Sequence, residues 1–402
     1  MLWPAWIAPP SPPRFPHLDG VRAIAALSVL GVHTAGLTTF TTSNDLLGPL
    51  TARLNVGVAI FFVLSGFLLY RPFVAARLAD RDAPRIGGYL RRRALRIVPA
   101  YWLALTLLAI WPGLNGVFTK DWWVYYGFAQ NLRGGWILQG IGPAWTLHVE
   151  LTFYALLPFL ALAAARWLRG RPVAQQLWPE LAAIAVLGLL SLALRAWRSV
   201  AGSPTEVGAN LLPQLFLWFA LGLALAVVSA HVADRPVGRR PGWVRFVGAH
   251  PGVPWAGAVA VLLLSTQVGL PILPLADYDT YELLCEHVLY ALIAVLVVLP
   301  AAIGTDGGGR VRALLASRPL VWLGLVSYGV YLWHLPLGEE INARLGPRVA
   351  DLGFPIITLA VLAASLVAAT LSYTLVERPL MRRFRGSPAP RAAERPAPVH
   401  AG

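Results

Sequence analysis

The chain has 402 residues, of which 57% are hydrophobic and only 13% charged, about half the charged fraction of a typical soluble protein. Its net charge of +14 could suggest nucleic acid as a partner. The basic residues lie between apolar segments, however, so membrane topology explains them and we expect no nucleic acid. Cys285 is the only cysteine, which excludes an intramolecular disulfide and a cysteine metal site.

Ten stretches are long and apolar enough to cross a bilayer, because a crossing needs about 20 residues. The sequence therefore predicts an all-α polytopic protein of the plasma membrane. The aromatic segment 121–139 is expected to lie at the membrane surface rather than to cross. The predicted spans are 19–39, 55–75, 93–112, 144–166, 180–199, 210–230, 253–272, 283–303, 319–340 and 354–377.

The distribution of arginine and lysine predicts the orientation. With the amino terminus in the cytoplasm, 26 basic residues lie on the cytoplasmic side of the membrane and 7 on the other, as insertion requires. Both termini are then cytoplasmic. The chain is expected to consist of a proline-rich cytoplasmic segment 1–16, a transmembrane domain 17–385, and a disordered tail 386–402 rich in proline, alanine and arginine.

The first predicted span carries three ionisable residues. Asp19 and Arg22 lie where the helix enters the membrane. His33 lies eleven residues after Arg22, about 20° from it around the helix axis and about 16 Å above it. A histidine so deep in an apolar helix indicates a functional site. The alternative is a core histidine that is hydrogen-bonded between helices.

The loop before the third span is the most basic part of the chain. Arg92 and Arg96 are four residues apart and share one helical face. Their guanidinium groups could bind phosphate oxygens in a bidentate manner. The alternative is that they only anchor the helix at the cytoplasmic surface, which is our interpretation of Arg91 and Arg93.

Polar groups are also predicted near the middle of three other spans. Counted from the predicted span ends, Glu150 and His334 reach the depth of His33, which favours a shared polar cavity. Tyr331 lies on the same helical face as His334, and Ser65 lies near the middle of the second span. No pair among the histidines and Glu150 has the spacing of metal ligands on a helix, so no metal site is predicted.

At these residues the sequence resembles the bacterial membrane-bound acyltransferase 3 family. The resemblance covers nearly the whole chain, and six motifs carry it in order. They are Arg22 with His33; Phe62 to Phe67; Arg92 and Arg96 with Pro99; Trp145 to Tyr154; Ser327 to Pro336; and Glu377-Arg378-Pro379. Many members carry a further hydrolase-like domain outside the membrane, and none is expected after Pro379.

The resemblance implies an enzyme of ten helices with no permanently bound cofactor. It would move an acyl group, acetyl above all, from cytoplasmic acyl-CoA (acetyl-CoA) as co-substrate to a hydroxyl-bearing acceptor. The acceptor would be a sugar, glycan, lipid or polyketide, such as a macrolide.

The same resemblance implies roles for the residues that the motifs contain. His33 would act as general base and Glu150 would orient it or the acceptor. An acyl-histidine intermediate is the rival mechanism. A proton-coupled transporter or flippase that uses His33, Glu150 and His334 as a proton relay is the rival function. The phosphates would be bound by Arg22, Arg92 and Arg96. Ser65, Tyr331 and His334 would contact the acceptor or the oxyanion, and Asp19 would be a further residue that binds substrate or supports the site.

Overall fold

The computed structural model describes residues 15–201, 210–272, 278–303 and 309–383. The predicted tail 386–402 and nearly all of the predicted segment 1–16 lie outside these residues. Every regular element within the described ranges is helical, which confirms the all-α fold. The α-helices are α1 (Pro16–Leu37), α2 (Phe40–Ser43), α3 (Gly48–Arg53), α4 (Gly57–Leu78), α5 (Ile86–Leu108), α6 (Trp122–Tyr126), α7 (Trp145–Trp167), α8 (Val173–Ala201), α9 (Leu212–Val232), α10 (Gly242–Ala249), α11 (Gly252–Leu264), α12 (Thr280–Ala302), α13 (Arg310–Leu315), α14 (Arg318–Leu345), α15 (Arg348–Ser372) and α16 (Arg378–Arg383).

Most of the predicted spans are present as single long helices. In the described part of the chain, 9 helical stretches are long and apolar enough to cross a membrane, and the bent pair α10 and α11 makes 10 if it counts as one span. Helices of this length and composition are stable in lipid because all their backbone polar groups are satisfied internally. The chain is therefore a multi-pass membrane protein.

The predicted span 253–272 differs from the structure. Helix α11 has 13 residues and so reaches about 20 Å, which is less than the about 30 Å of a hydrocarbon core. Its axis meets that of α10 at 84°. The helix ends where Ser265 and Thr266 turn their hydroxyl groups back onto backbone carbonyl groups, an alternative to further helix that such residues favour.

The aromatic segment 121–139 does not cross the membrane, as predicted. Its helix α6 has only 5 residues. Two side chains of α5 hold it in place, because the hydroxyl of Tyr101 donates to the carbonyl of Tyr125 at 2.8 Å and the indole of Trp102 to that of Tyr126 at 2.9 Å. The segment thus covers one end of α5.

Helices α4 and α9 form the interior of the bundle. In the most apolar stretch of each of these two spans 78% of the residues are buried, against 22% in α8 and in the span of α15. The two interior helices cross at Gly66 and Gly222, where a Cβ atom on Gly222 would lie 2.2 Å from the carbonyl oxygen of Val63. Small residues at such crossings allow helix backbones to approach closely in membranes.

A Gly222→Ala variant is therefore expected to be less stable by about 1–3 kcal/mol, the usual cost of overpacking a close-packed interior. The apparent melting temperature in detergent would fall accordingly. Gly36→Ala in α1 is the matched control, because a Cβ atom there meets nothing within 4 Å. Equal melting temperatures for the two variants would contradict a tight crossing at Gly222.

A second close approach joins α1 to α14 and positions the candidate site. A Cβ atom on Gly324 would lie 1.9 Å from the carbonyl oxygen of Asp19, so only glycine fits there. The two helices run side by side from this point. The contact brings His33 of α1 next to His334 of α14, which are 301 residues apart in sequence.

Candidate active site

A cavity lies between α1, α4, α5, α7 and α14. It contains about 710 Å³ of space that no protein atom fills, with the solvent at its open mouth included. Three guanidinium groups line it, those of Arg22, Arg93 and Arg96. The other polar lining residues are Ser65, Thr146, Glu150, Tyr154, Ser327, Tyr328 and Tyr331, and the apolar ones are Val58, Phe61, Phe62, Leu64, Ile97 and Leu147.

The three arginines form a cluster of like charges. Arg22 interacts electrostatically with both Arg93 and Arg96. One acidic partner is close to Arg22, since its guanidinium lies 3.3 Å from the carboxylate of Asp19. The Nε of Arg93 is buried and has no hydrogen-bond partner. Buried donors are normally paired, so this N–H group and the surrounding positive charge favour an anionic ligand.

The arginine pair predicted from the sequence needs a correction. Arg96 lines the cavity, but Arg92 lies on the exposed side of α5 and is not part of the lining. Arg93, which we interpreted as a surface anchor, takes its place. The cavity faces a stripe of α5 that contains Arg93, Arg96 and Ile97, at the i, i+3 and i+4 positions of one helical face. Arg92 is about 100° away from Arg93 around the axis.

Ser65 and Glu150 form a hydrogen-bonded pair in the cavity wall. The hydroxyl of Ser65 donates to Oε1 of Glu150 at 2.8 Å, and the hydroxyl of Tyr154 donates to the same oxygen. Glu150 also interacts electrostatically with Arg93. The carboxylate is thus held by two neutral donors and faces the arginine cluster. It does not contact His33, so the predicted role of Glu150 in orienting that histidine does not fit this geometry.

Tyr331 lies at the end of the cavity remote from the arginines. Its hydroxyl is 2.8 Å from that of Thr146, and both hydroxyls reach the carbonyl oxygen of Pro143, at 2.9 and 3.1 Å. The ring of Phe61 meets the ring of Tyr331 edge-on, with centroids 6.1 Å apart. These contacts tie α14 to the start of α7 and form the wall of the cavity at that end.

His33 and His334 form a pair just beyond this wall. Nδ1 of His33 is 2.8 Å from Nε2 of His334. The ring of His334 lies 5.8 Å from that of Tyr331. His334 is 1% exposed, whereas His33 is half-buried. Neither histidine belongs to the lining of the cavity, so the side chain of Tyr331 stands between the arginine cavity and the histidine pair.

The common depth predicted for His33, Glu150 and His334 holds only for the two histidines. The hydrogen bond between Tyr331 and Thr146 brings these two residues to one level. His334 lies one turn beyond Tyr331 on α14, and Glu150 lies one turn beyond Thr146 in the opposite direction on α7. Glu150 is therefore about 10 Å nearer to the arginines. Helix α14 has 28 residues and is longer than the hydrocarbon layer, so counting from predicted ends misplaced its residues.

Five polar residues of the cavity are absent from the predicted site, namely Arg93, Thr146, Tyr154, Ser327 and Tyr328. Arg93 was recognisable from its spacing to Arg96, since residues three apart share a face. Tyr154 follows Glu150 by four residues, the spacing at which its hydroxyl can reach the carboxylate. Thr146 carries no such pattern, because its contact with Tyr331 joins residues 185 positions apart in sequence.

The chain matches known proteins along most of its length. A family model described as an acyltransferase domain matches residues 15–374. The peptidoglycan O-acetyltransferase OatA of Listeria monocytogenes is 24% identical over 91% of this chain and 56% of its own. The acyltransferase MdmB of Streptomyces mycarofaciens is 28% identical over 93% of each chain. The exopolysaccharide production protein ExoZ of Rhizobium meliloti is 27% identical over 82% of this chain and 90% of its own.

These comparisons differ in how much of the relative they cover. The chain spans little more than half the length of the Listeria protein but nine-tenths or more of the other two. No solved structure matches the chain significantly. The family model, by contrast, covers nearly the whole transmembrane domain. The chain therefore belongs to the acyltransferase 3 family, as its motifs indicated.

Proposed function

We propose that the protein is an integral membrane O-acyltransferase that moves an acetyl group from acetyl-CoA to a hydroxyl group, with His33 as general base. The observation that carries the proposal is the arginine cavity, which contains the unpartnered buried Nε of Arg93 and leads towards a histidine pair. A guanidinium cluster suits the phosphates of CoA. The acetyl group would then lie on the side of the histidines.

The donor would enter at the arginine end of the cavity. We place that end at the cytoplasmic surface, because the basic residues of the chain favour that orientation. Arg22 and His33 are eleven residues apart on α1, about 16 Å along the axis, and an extended pantetheine arm has about this reach. Tyr331 lies in between, so the proposal requires its side chain to give way when the donor binds.

The proposed chemistry is a single acyl transfer. The ring of His33 takes the proton of the acceptor hydroxyl as that oxygen attacks the thioester carbonyl carbon. A C–O bond forms and the C–S bond breaks. The CoA thiolate leaves and recovers the proton from the imidazolium. An acyl-histidine intermediate is the alternative, in which His33 itself attacks the thioester and passes the acetyl group on.

The acceptor is proposed as a hydroxyl of a carbohydrate, a glycan, a glycolipid or a secondary metabolite. The relatives include a peptidoglycan O-acetyltransferase and an exopolysaccharide production protein. Mass spectrometry of glycans, lipids and small metabolites from cells with and without the gene would identify the product by one added acetyl mass.

The direct test uses the purified protein in lipid nanodiscs with acetyl-labelled acetyl-CoA and a panel of sugars, glycans and polyketides. Label is expected in an acceptor together with free CoA thiol. A transporter that uses a proton relay is the rival, and it would leave the label on CoA with every acceptor. The structure gives no support for a relay, since among the described contacts no hydrogen bond connects Glu150 to either histidine.

Glu150 provides a further test of the donor site. The Glu150→Gln variant removes a negative charge that interacts with Arg93, so CoA should bind a few-fold more tightly. The turnover number should fall, because Ser65 and Tyr154 lose the carboxylate that orients them. Calorimetric titration with CoA and a rate assay measure the two effects separately. Weaker CoA binding would mean that Glu150 holds the donor directly.

A further inference from the structure

The hydrogen-bond partners of His33 and His334 determine which ring nitrogens carry the hydrogens. Nδ1 of His334 is 2.9 Å from the carbonyl oxygen of Tyr331 and 3.1 Å from that of Val330. Carbonyl oxygens only accept hydrogen bonds, so Nδ1 of His334 must carry a hydrogen. A neutral imidazole carries one hydrogen only. Its Nε2 is then a lone pair, and that lone pair faces His33.

The neutral state of His334 follows from its surroundings. The ring is 1% exposed, and its described hydrogen-bond partners are two carbonyl groups and one imidazole. No carboxylate contacts it within the described part of the chain. A charged imidazolium buried without an opposite charge would be costly.

The proton position on His33 follows from that on His334. Since Nε2 of His334 accepts, Nδ1 of His33 must donate across the 2.8 Å that separates them. Neutral His33 then has no hydrogen on Nε2. His33 also has a backbone hydrogen bond with Val29, one turn earlier on α1, and in a helix that carbonyl is within reach of Nδ1 rather than Nε2. Nε2 has no described side-chain hydrogen bond, and the residue is half-buried rather than sealed. This nitrogen therefore presents a free lone pair, which is the requirement for a general base.

We propose that His334 is a positioning residue that fixes His33 in the tautomer with the hydrogen on Nδ1, and thereby directs the basic Nε2 of His33 to the acceptor hydroxyl. The backbone carbonyls of Val330 and Tyr331 hold the hydrogen of His334 on its Nδ1. The unprotonated Nε2 of His334 then holds the hydrogen of His33 on Nδ1, and His33 acts as the base through its Nε2. The inference rests on the proposed role of His33 as base. It replaces the acceptor or oxyanion contact predicted for His334 from the sequence.

Nitrogen NMR tests the proton positions without any assay of activity. Protein whose histidine rings carry ¹⁵N at Nδ1 only, compared with a His33→Ala sample, identifies the Nδ1 signal of His33, and a sample labelled at both ring nitrogens adds the Nε2 signal. The Nδ1 signal of His33 is expected at the protonated position and the Nε2 signal at the unprotonated one. In His334→Leu the two signals should move towards each other as the second tautomer becomes populated. A hydrogen on Nε2 of His33 in the unaltered protein would overturn the proposal.

Kinetics test whether the constraint matters for the reaction. His334→Leu removes the imidazole acceptor for Nδ1 and leaves the backbone hydrogen bond with Val29 in place. We expect the turnover number to fall about 10- to 100-fold, as happens when partners that orient metal-bound histidines are removed. The KM for acetyl-CoA should be unchanged because His334 does not line the donor cavity. His334→Gln places an amide oxygen where Nε2 was, and it should recover most of the lost rate.

His148→Leu is the matched control, since His148 is a histidine of α7 whose Nδ1 is hydrogen-bonded to the carbonyl of Phe128 and which does not line the cavity. It should keep the turnover number of the unaltered protein. If His334→Leu also kept the full turnover number while His33→Ala was inactive, the positioning role of His334 would be wrong and the assignment of His33 as base would remain. If His33→Ala was active, the proposed mechanism would fail first. Equal losses in the leucine and glutamine variants would also overturn the proposal.

Discussion

A His33→Ala variant is expected to lose acyl transfer by at least about 10²–10⁴-fold, the usual contribution of a general base. The loss should appear in the turnover number. Binding of CoA should be unaffected, because the cavity that contains the arginines does not include His33. A transfer assay with labelled acetyl-CoA, together with calorimetric titration of CoA, measures both quantities on the same preparation.

Stability must be checked because His33 is hydrogen-bonded to His334. Melting temperatures in detergent serve as the control. His33→Asn, which can place an amide N–H near the position of Nδ1 but has no usable base, should be as inactive as the alanine variant. An active His33→Ala protein would remove the base assignment. Lost CoA binding in a well-folded variant would show that donor and histidine share one cavity.

Arg93→Ala is expected to raise the KM for acetyl-CoA by about 10- to 100-fold, since a hydrogen bond to a charged group contributes about 1.5–3 kcal/mol. The turnover number at saturation should change little, because the phosphates are far from the transferred group. Arg92→Ala is the matched control one residue away, exposed and outside the lining. Its KM should stay within about twofold of that of the unaltered protein, the range of surface substitutions.

Truncated donors make this test specific for phosphate. Acetyl-pantetheine has no phosphate groups, so Arg93→Ala and the unaltered protein should use it equally well. Arg93→Lys keeps the charge but lacks the bidentate guanidinium. Its KM for acetyl-CoA should lie between that of the unaltered protein and that of Arg93→Ala. An equal loss with acetyl-CoA and acetyl-pantetheine would mean that Arg93 supports the fold of α5 rather than the donor.

The fold could be predicted from the sequence because lipid leaves few alternatives. Apolar stretches of about 20 residues must form helices to satisfy their backbone groups. The structure differs from the prediction in the bounds of the helix at 253–272, because the apolar composition of that stretch hides the polar turn at Ser265 and Thr266 that ends α11. The aromatic segment 121–139 was recognised by the same reasoning, since tryptophan and tyrosine favour the membrane interface.

The candidate site was less predictable, because its contacts join distant parts of the chain. Helical spacing identified Arg22 and Arg96 as residues of one cavity but could not distinguish Arg92 from Arg93, whose directions differ by about 100°. Depth along each span placed His33 near His334 correctly and Glu150 about 10 Å from its position in the structure. Tilt and helix length decide such depths, and neither follows from apolar composition alone.

The hydroxyls of Tyr331 and Thr146, tied to the carbonyl of Pro143, have a kinetic consequence. If the pantetheine arm fills the opening that Tyr331 leaves when it gives way, the acceptor must arrive by another entrance, and the direct transfer proposed for His33 requires both substrates to be bound before turnover. Free CoA would then inhibit competitively against acetyl-CoA and not against the acceptor. Double-reciprocal plots at several acceptor concentrations should consequently intersect rather than run parallel.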